Sequence, residues 1–319
     1  MRAGLQDVSL RLLAPGEQEL ADFAPEAAFC QHHPAASMVR EQLPRVPMLL
    51  AHLGVEPELE QAPLLNCGTG VHLAISEETR DALIAQNLPA ERIRIFRNAI
   101  DIRMLEAGEN AASRRGAVVF SYKLSADVTS LIATATGGFD ITLDGCSLTG
   151  LGRHDPAEVA RRLRAARLVF ASGRCALEAA VAGAAVVVLG PTGLDGALTA
   201  ATWRTLAEAN FSGRRHAMVL TAESLRNAIA DALQSDVQDT RRQLRAEFGL
   251  ERRGEELEAL LSACPPPVLT ARDLALNQRF SRLLREQRSM AIRQSELERR
   301  AAPDGWWTRL QYGIRGPGT

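Results

Sequence analysis

Ala166-Arg167-Leu168-Val169-Phe170-Ala171-Ser172-Gly173-Arg174-Cys175-Ala176-Leu177-Glu178-Ala179-Ala180-Val181-Ala182-Gly183-Ala184-Ala185-Val186-Val187 is the stretch on which the fold turns. Its apolar run at 168–170 predicts a buried strand, the Ala-rich segment 174–182 a helix closed by Gly183, and the β-branched run at 185–189 a second strand. Strand, helix and strand in so short a span form a βαβ unit, whose two strands lie parallel.

The same rhythm extends outward. Strands are predicted at 117–120 and 139–143 with a helix through 129–135 between them, and Asp155-Pro156 opens the next helix as an N-cap followed by proline at its first position. Upstream the rhythm is less regular, with candidate strands at 8–12, 27–30, 47–50, 71–75 and 92–96. Ser76 there caps a helix whose first turn carries Glu77 and Glu78, as the helix dipole prefers. A stretch rich in Ala, Gly and charge at 105–116 has no hydrophobic period and reads as a domain boundary. Beyond Thr221 the chain becomes helical, at 222–233 and 237–262, until Cys264-Pro265-Pro266-Pro267 stops it. A tail helix follows, with Leu276, Phe280, Leu283, Met290 and Leu297 predicted as its docking stripe. The expected organisation is an α/β chain of two Rossmann-type domains, each a doubly wound parallel sheet: a reduced first domain over 1–105, a second over 106–262, and a helical basic and aromatic tail over 263–319.

Composition limits the classes of function. The 319 residues carry 37 Lys+Arg against 38 Asp+Glu, a net charge of -1, so the basic footprint of a nucleic-acid binder is missing and no nucleic-acid partner is expected. Five cysteines without metal-ligand spacing argue against a disulfide scaffold or a structural zinc, and no other cluster calls for a metal. With no apolar leader and no span long enough to cross a bilayer, the expectation is a cytoplasmic protein. Trp306 and Trp307 lie in a basic aromatic stretch, 306–315, suited to a peripheral contact with the inner membrane face or to docking on the protein itself. The tail stripe adds the expectation of a homodimer or hetero-complex that hides the apolar surface of a reduced domain.

In a doubly wound sheet, ligands bind outside the carboxyl ends of the strands, so the loops after the strands carry the chemistry. Four stand out: 121–123 with Lys123, the sole lysine of the chain, 144–146 with Gly145, 172–174, and 190–196 with Gly193 and Gly196. Ser172 and Gly173 opening a helix would aim free N–H groups at an anion such as a diphosphate, and Arg174 and Lys123 would add positive charge. Glycines in such loops also serve turn chemistry alone. Glu178, one turn beyond Arg174, has two readings: acceptor of hydrogen bonds from a ribose diol, or partner of Arg174 in a helix salt bridge. His32-His33, after the predicted strand at 27–30, is either a surface pair or a group facing an acceptor hydroxyl.

The run 166–187 resembles the nucleotide-sugar site of GT-B glycosyltransferases of the family-4-like, or group 1, type. Leu73-Ala74-Ile75-Ser76-Glu77-Glu78, together with Arg92-Ile93-Arg94-Ile95-Phe96-Arg97-Asn98-Ala99-Ile100-Asp101, resembles the passage between their two domains. Asn210-Phe211-Ser212-Gly213-Arg214-Arg215 is similar to a further element of some members. The likeness spans roughly 25–260. It implies a bacterial-type, commonly retaining and metal-independent hexosyltransferase without a cofactor. Such an enzyme takes a nucleotide diphosphate sugar as donor and a saccharide, lipid-linked or protein acceptor in surface-glycan synthesis. Glu178 matches the second of the family's two acidic residues, eight apart, whereas Phe170 stands at the first. Tyr122-Lys123 stands where the family has Gly-Arg, with no second cation up to Leu131. Lys123, Arg174 and His32 are therefore the candidate catalytic residues, and Gly145, Ser172, Gly173, Arg174, Glu178, Gly193 and Gly196 the candidates for binding the nucleotide sugar. About 70 residues precede the interdomain passage, roughly three βα units fewer than the resemblance calls for. These departures leave open a second reading, a catalytically degenerate GT-B subunit that binds nucleotide or scaffolds a partner.

Overall fold

A computed structural model describes residues 24–106, 116–120, 124–139, 141–144 and 155–301. The expected strand at 8–12, the loop residues Lys123 and Gly145, and the aromatic stretch 306–315 lie outside the described residues.

The first sheet holds β1 (Ala28–Gln31), β2 (Met48–His52), β3 (Val71–Ala74) and β4 (Ile93–Ile95), side by side in that order and all parallel. Right-handed crossovers that always step in the same direction leave their connections on one face of a sheet. On that face α1 (His33–Gln42) packs Ala36 and Val39 on Cys30, Met48 and Leu50, and α2 (Glu77–Ala85) packs Leu83 on Ala74 and Ile93. Arg40 of α1 is fully buried, its guanidinium donating to the carbonyls of Leu43, Val46, Cys67 and Gly68. The opposite face, with Phe29, Leu49, Ala51 and Leu73, is covered from far along the chain by Leu257, Leu260 and Leu261 of α10 (Leu250–Ser262). This helix falls before the expected division at 262, yet it packs on the first sheet.

The single helix expected at 237–262 is two helices, α9 (Val237–Phe248) and α10, parted at Gly249. Ile100 causes the break. Its N–H donates to the Phe248 carbonyl at 2.8 Å and its carbonyl accepts from Leu250 N–H at 3.1 Å, so the backbone turns to pair with the interdomain segment. Here the chain crosses back to the first domain.

The second sheet has the order β6-β5-β7-β8-β9, formed by β5 (Gly116–Phe120), β6 (Thr142–Asp144), β7 (Ala166–Ala171), β8 (Ala185–Gly190) and β9 (Gly193–Ala197). All pairs are parallel except β8 with β9. After β5 the chain passes through α4 (Ala126–Thr136) to β6, and α5 (Pro156–Ala165) then returns it past β5 to β7, so the winding reverses. Both faces are therefore covered within the domain. On one side Val118, Val169 and Val186 meet α3 (Ile102–Glu106), α5, α6 (Arg174–Val181), α7 (Trp203–Ala207) and α9; on the other Phe170, Val187 and Leu189 meet α4 and α8 (Ala222–Gln234).

The stretch 190–196 was expected as a loop, but its second half is a strand that turns back on β8. The hairpin is that tight because it meets backbone: a Cβ on Gly190 would sit 2.0 Å from the Ser212 carbonyl oxygen, and one on Gly193 2.8 Å from that of Gly213.

The tail helix α11 (Ala271–Ala301) docks on α1 through Asn277 and Ser281, both fully buried, with Leu274, Phe280 and Leu284 half-buried beside them. Of the expected stripe only Phe280 takes part, while Leu276, Leu283, Met290 and Leu297 are exposed. Polar contacts set this rotation. Asn277 Nδ2 donates to the Asn66 carbonyl at 2.8 Å, and the Arg285 guanidinium grips both oxygens of Glu41 at 2.5 and 2.7 Å. No described helix is long and apolar enough to cross a membrane.

Candidate functional site

Reversed winding places a crevice at the carboxyl ends of β5 and β7, where neighbouring connections leave the sheet in opposite directions. The loop after β7 is Ser172-Gly173, and it opens directly into α6. Gly173 adopts φ 59° and ψ -137°, a conformation that glycine enters without steric cost, and α6 starts without a side-chain cap. Ala176 N–H bonds back to the Gly173 carbonyl at 3.1 Å, so the amides before it in the first turn are the ones left without an intrahelical partner.

One of the expected donors is already engaged. Gly173 N–H donates to the Phe211 carbonyl at 2.7 Å, leaving the amides of Arg174 and Cys175 as the first-turn groups for an anion. Asn210 and Phe211, which hold Gly173, both have positive φ, 52° and 53°. Asn tolerates that region, whereas Phe enters it only when its surroundings force it. Phe211 is buried against Phe248, and Asn210 Oδ1 accepts from Asn98 Nδ2 of the interdomain passage at 2.9 Å. The strained pair therefore ties the crevice loop to the hinge.

Arg174 Nε lies 2.7 Å from Glu178 Oε1, with Arg174 57% and Glu178 15% exposed. The helix salt bridge foreseen as one of two readings exists, and Glu178 also sits one turn inside the crevice helix with little contact to solvent. Phe170, at the position matched with the first acidic residue of the resemblance, is fully buried and packs against α4 and α8. Cys175, beside Arg174, is a thiol: burial and then the Glu178 carboxylate push it up to about 11, so it is no thiolate nucleophile at neutral pH.

Asp195 gave no signal in the sequence beyond membership of a Gly-rich stretch. It is buried, and its oxygens accept from Gly213 N–H at 2.9 Å and His216 N–H at 2.8 Å, which fixes the turn after Phe211. That turn presents Arg214 to the first domain, where it grips both oxygens of Glu78 at 2.9 and 2.7 Å and approaches Glu56 at 3.6 Å. Facing carboxylates, Glu78 first, hold the Arg214 guanidinium above its ordinary range. Arg97 adds a further clasp, donating to Ala207 O at 3.0 Å while pairing with Glu77. Gly193 and Gly196 lie in β9, behind this turn.

On the first-domain side, His32 follows β1 at φ 71°, and its Nδ1 lies 2.9 Å from Glu60 Oε1. Glu60 is buried, and its other oxygen accepts from Leu53 N–H at 2.6 Å. Behind it stands a pair of buried histidines with no local sequence signal: His52 Nδ1 is 2.8 Å from the Glu60 carbonyl oxygen, and His52 Nε2 is 3.0 Å from His72 Nδ1. A carbonyl only accepts, so His52 carries its proton on Nδ1 and accepts at Nε2 from His72 Nδ1–H. Burial, then His52 and Arg92, push His72 down to about 3, and burial likewise lowers His52 and His33. His72 and His52 thus back onto the Glu60 backbone carbonyl, and the Glu60 carboxylate lies against His32. Residues 53–60, which these contacts brace, are those that reach Arg214 through Glu56. Glu60, His52, His72, Asp195 and Arg214 are parts of the site that residue spacing did not reveal. Among the described residues no group of three His, Cys, Asp or Glu is placed to hold a metal ion.

No family model matches the chain, and no curated protein matches it in sequence. Solved structures do. HepE of Anabaena in complex with UDP and glucose superposes with a TM-score of 0.55 at 14% identity, over 77% of this chain and 80% of that one. The same protein with UDP-glucose gives 0.52 at 14% identity, over 74% and 78%. UDP-GlcNAc 2-epimerase from Neisseria meningitidis bound to UDP-GlcNAc gives 0.46 at 11% identity, over 76% and 78%. The chain has a GT-B-like fold: two Rossmann-like domains facing one another across a cleft.

Proposed function

We propose that this protein is a glycosyltransferase that moves a hexose from a nucleotide diphosphate sugar to a saccharide, lipid-linked or protein acceptor in surface-glycan synthesis. The observation that carries this reading is the uncapped N-terminus of α6 at the reversal of the sheet, with Glu178 one turn inside it. The dipole end and the amides of Arg174 and Cys175 suit the diphosphate, and Glu178 suits the ribose diol. In the transfer the anomeric C–O bond to the diphosphate breaks and a C–O bond to the acceptor hydroxyl forms. The acceptor proton leaves on the diphosphate, and configuration is retained. His32, held by Glu60, orients that hydroxyl, while the α6 N-terminus, Arg174 and Lys123 stabilise charge developing on the leaving group. No metal takes part. HepE was crystallised with UDP-glucose, so a uridine diphosphate hexose is the first donor to try.

Calorimetry with UDP and GDP, with and without EDTA, followed by glycan turnover on a donor panel, tests the reading. Binding insensitive to EDTA and transfer with retained anomeric configuration are expected. No heat with either nucleotide, or binding that EDTA abolishes, counts against it. Donor consumed without acceptor would redirect the activity to the nucleotide sugar itself. Phe170, a core residue where a carboxylate would meet the sugar, favours a second reading as a nucleotide-binding subunit without turnover; tight binding with no transfer on any donor would select it.

A further inference from the structure

The first half of α11 is anchored on α1, but every residue from 286 to 297 is exposed. From Leu283 onward the helix carries a row the intramolecular contact does not use: Leu283, Met290 and Leu297, 50%, 60% and 64% exposed, spaced by sevens. A strict seven-residue apolar repeat does not stay on one side of a straight helix. It is the pattern of helices that supercoil around one another. With these residues at one seam position, Phe280, Gln287, Gln294 and Ala301 occupy the other.

We propose that the exposed apolar row of α11 pairs with α11 of a second copy of this chain as a parallel, in-register coiled coil. The polar seam residues select this occupant and this direction. In a parallel homodimer each seam layer meets itself, so the Gln287 amide faces its own copy and can both donate and accept. An antiparallel pair would set the same glutamine against a leucine or methionine. The charges agree. In the parallel register the flanking position of one heptad meets the position five residues on in the partner. That sets Arg293 opposite the sequence position of Glu298 twice by symmetry, and Glu286 opposite Ala291, with no like-charged pair. Phe280, one heptad before Gln287, packs on α1 with Asn277, Ser281 and Arg285, so the paired stretch begins at Leu283 and both contacts are compatible.

Sedimentation of the full chain over a range of concentrations tests the proposal, together with Leu283→Asp, Met290→Asp and, separately, Met290→Cys. A reversible dimer is expected from the parent. Either aspartate should turn it to monomer with circular dichroism and nucleotide binding unchanged. Met290→Cys should form a covalent dimer under mild oxidation that the parent does not form, because only the parallel register brings position 290 against itself. A dimer unaffected by either aspartate, or one in which Met290→Cys does not cross-link, overturns the proposal. So does a chain monomeric at every concentration. In that case hydrogen exchange shows whether 302–319 protects 286–297 in the same molecule, and flotation with anionic vesicles shows whether a lipid surface is the occupant.

Discussion

The two sheets of this protein are built from similar parallel units yet solve different problems. The described strands of the first sheet follow one another in a single direction, so their connecting helices cover one face and the other waits for α10, about two hundred residues downstream. The second sheet reverses at β5, covers both faces with its own helices and gains a crevice at the reversal. The sheet that is complete in itself carries the uncapped helix end; the one that needs the rest of the chain contributes the buried histidines and the Glu60 carboxylate opposite. Covering the first sheet from the C-terminal side also ties the domains together, because the chain must cross back at Gly249 to reach it.

Substitutions in the two cores probe this contrast most strongly. Phe170→Ala removes a fully buried ring from the self-contained sheet and should cost about 3–5 kcal/mol, confined to the second domain. Denaturant unfolding with hydrogen exchange checks it; equal loss of protection in β1–β3 would mean that the domains unfold as one unit. Leu257→Ala should cost about 2–5 kcal/mol. Its increased exchange should appear in β2 and β3, remote in sequence, rather than in β7 and β8. If the second sheet loosens first, the covering role assigned to α10 is wrong.

Smaller effects belong to the cleft. Glu178→Gln should weaken nucleotide binding by about 1–3 kcal/mol. Stability should hardly change, since an i,i+4 helix ion pair whose arginine stays exposed contributes little. Calorimetry decides between ribose contact and salt bridge, and unchanged affinity leaves only the latter.

The smallest effect per unit change is the pH dependence of the first domain. His72 has its pKa lowered from 6.5 to about 3, so between these values the unfolded chain binds a proton that the folded one refuses. Stability is therefore complete above about 6.5 and falls as the pH drops toward 3, with a limiting slope of about 1.4 kcal/mol per unit from this group. Replacing His72 by asparagine should flatten that part of the profile. A slope that survives the replacement places the titration elsewhere.

Much of the second domain could be read from residues alone. A β-branched run buried on both faces, an Ala-rich helix ended by glycine and an Asp-Pro cap are local signals, and β7, α6, β8 and α5 formed where those signals lie. The pairing of Arg174 with Glu178 follows likewise from helix spacing. What depended on distant partners could not be read this way. The helix predicted through 237–262 breaks at Gly249 because Ile100, some 150 residues earlier, competes for its backbone. The apolar stripe of α11 is the strongest sequence signal in the tail, yet the helix docks by its Asn277 face, since Asn66 and Glu41 offer partners that only the folded first domain assembles. Asp195 and Glu60 look like surface carboxylates in sequence. Asp195 is a buried acceptor because the later turn at Gly213 and His216 supplies its N–H groups, and Glu60 because its own loop folds back to present Leu53 N–H. Hydrophobic period and capping act within a few residues and are written in the sequence. The partner of a buried polar group is set by which loops the two windings bring to the cleft, and that is decided by the tertiary structure alone.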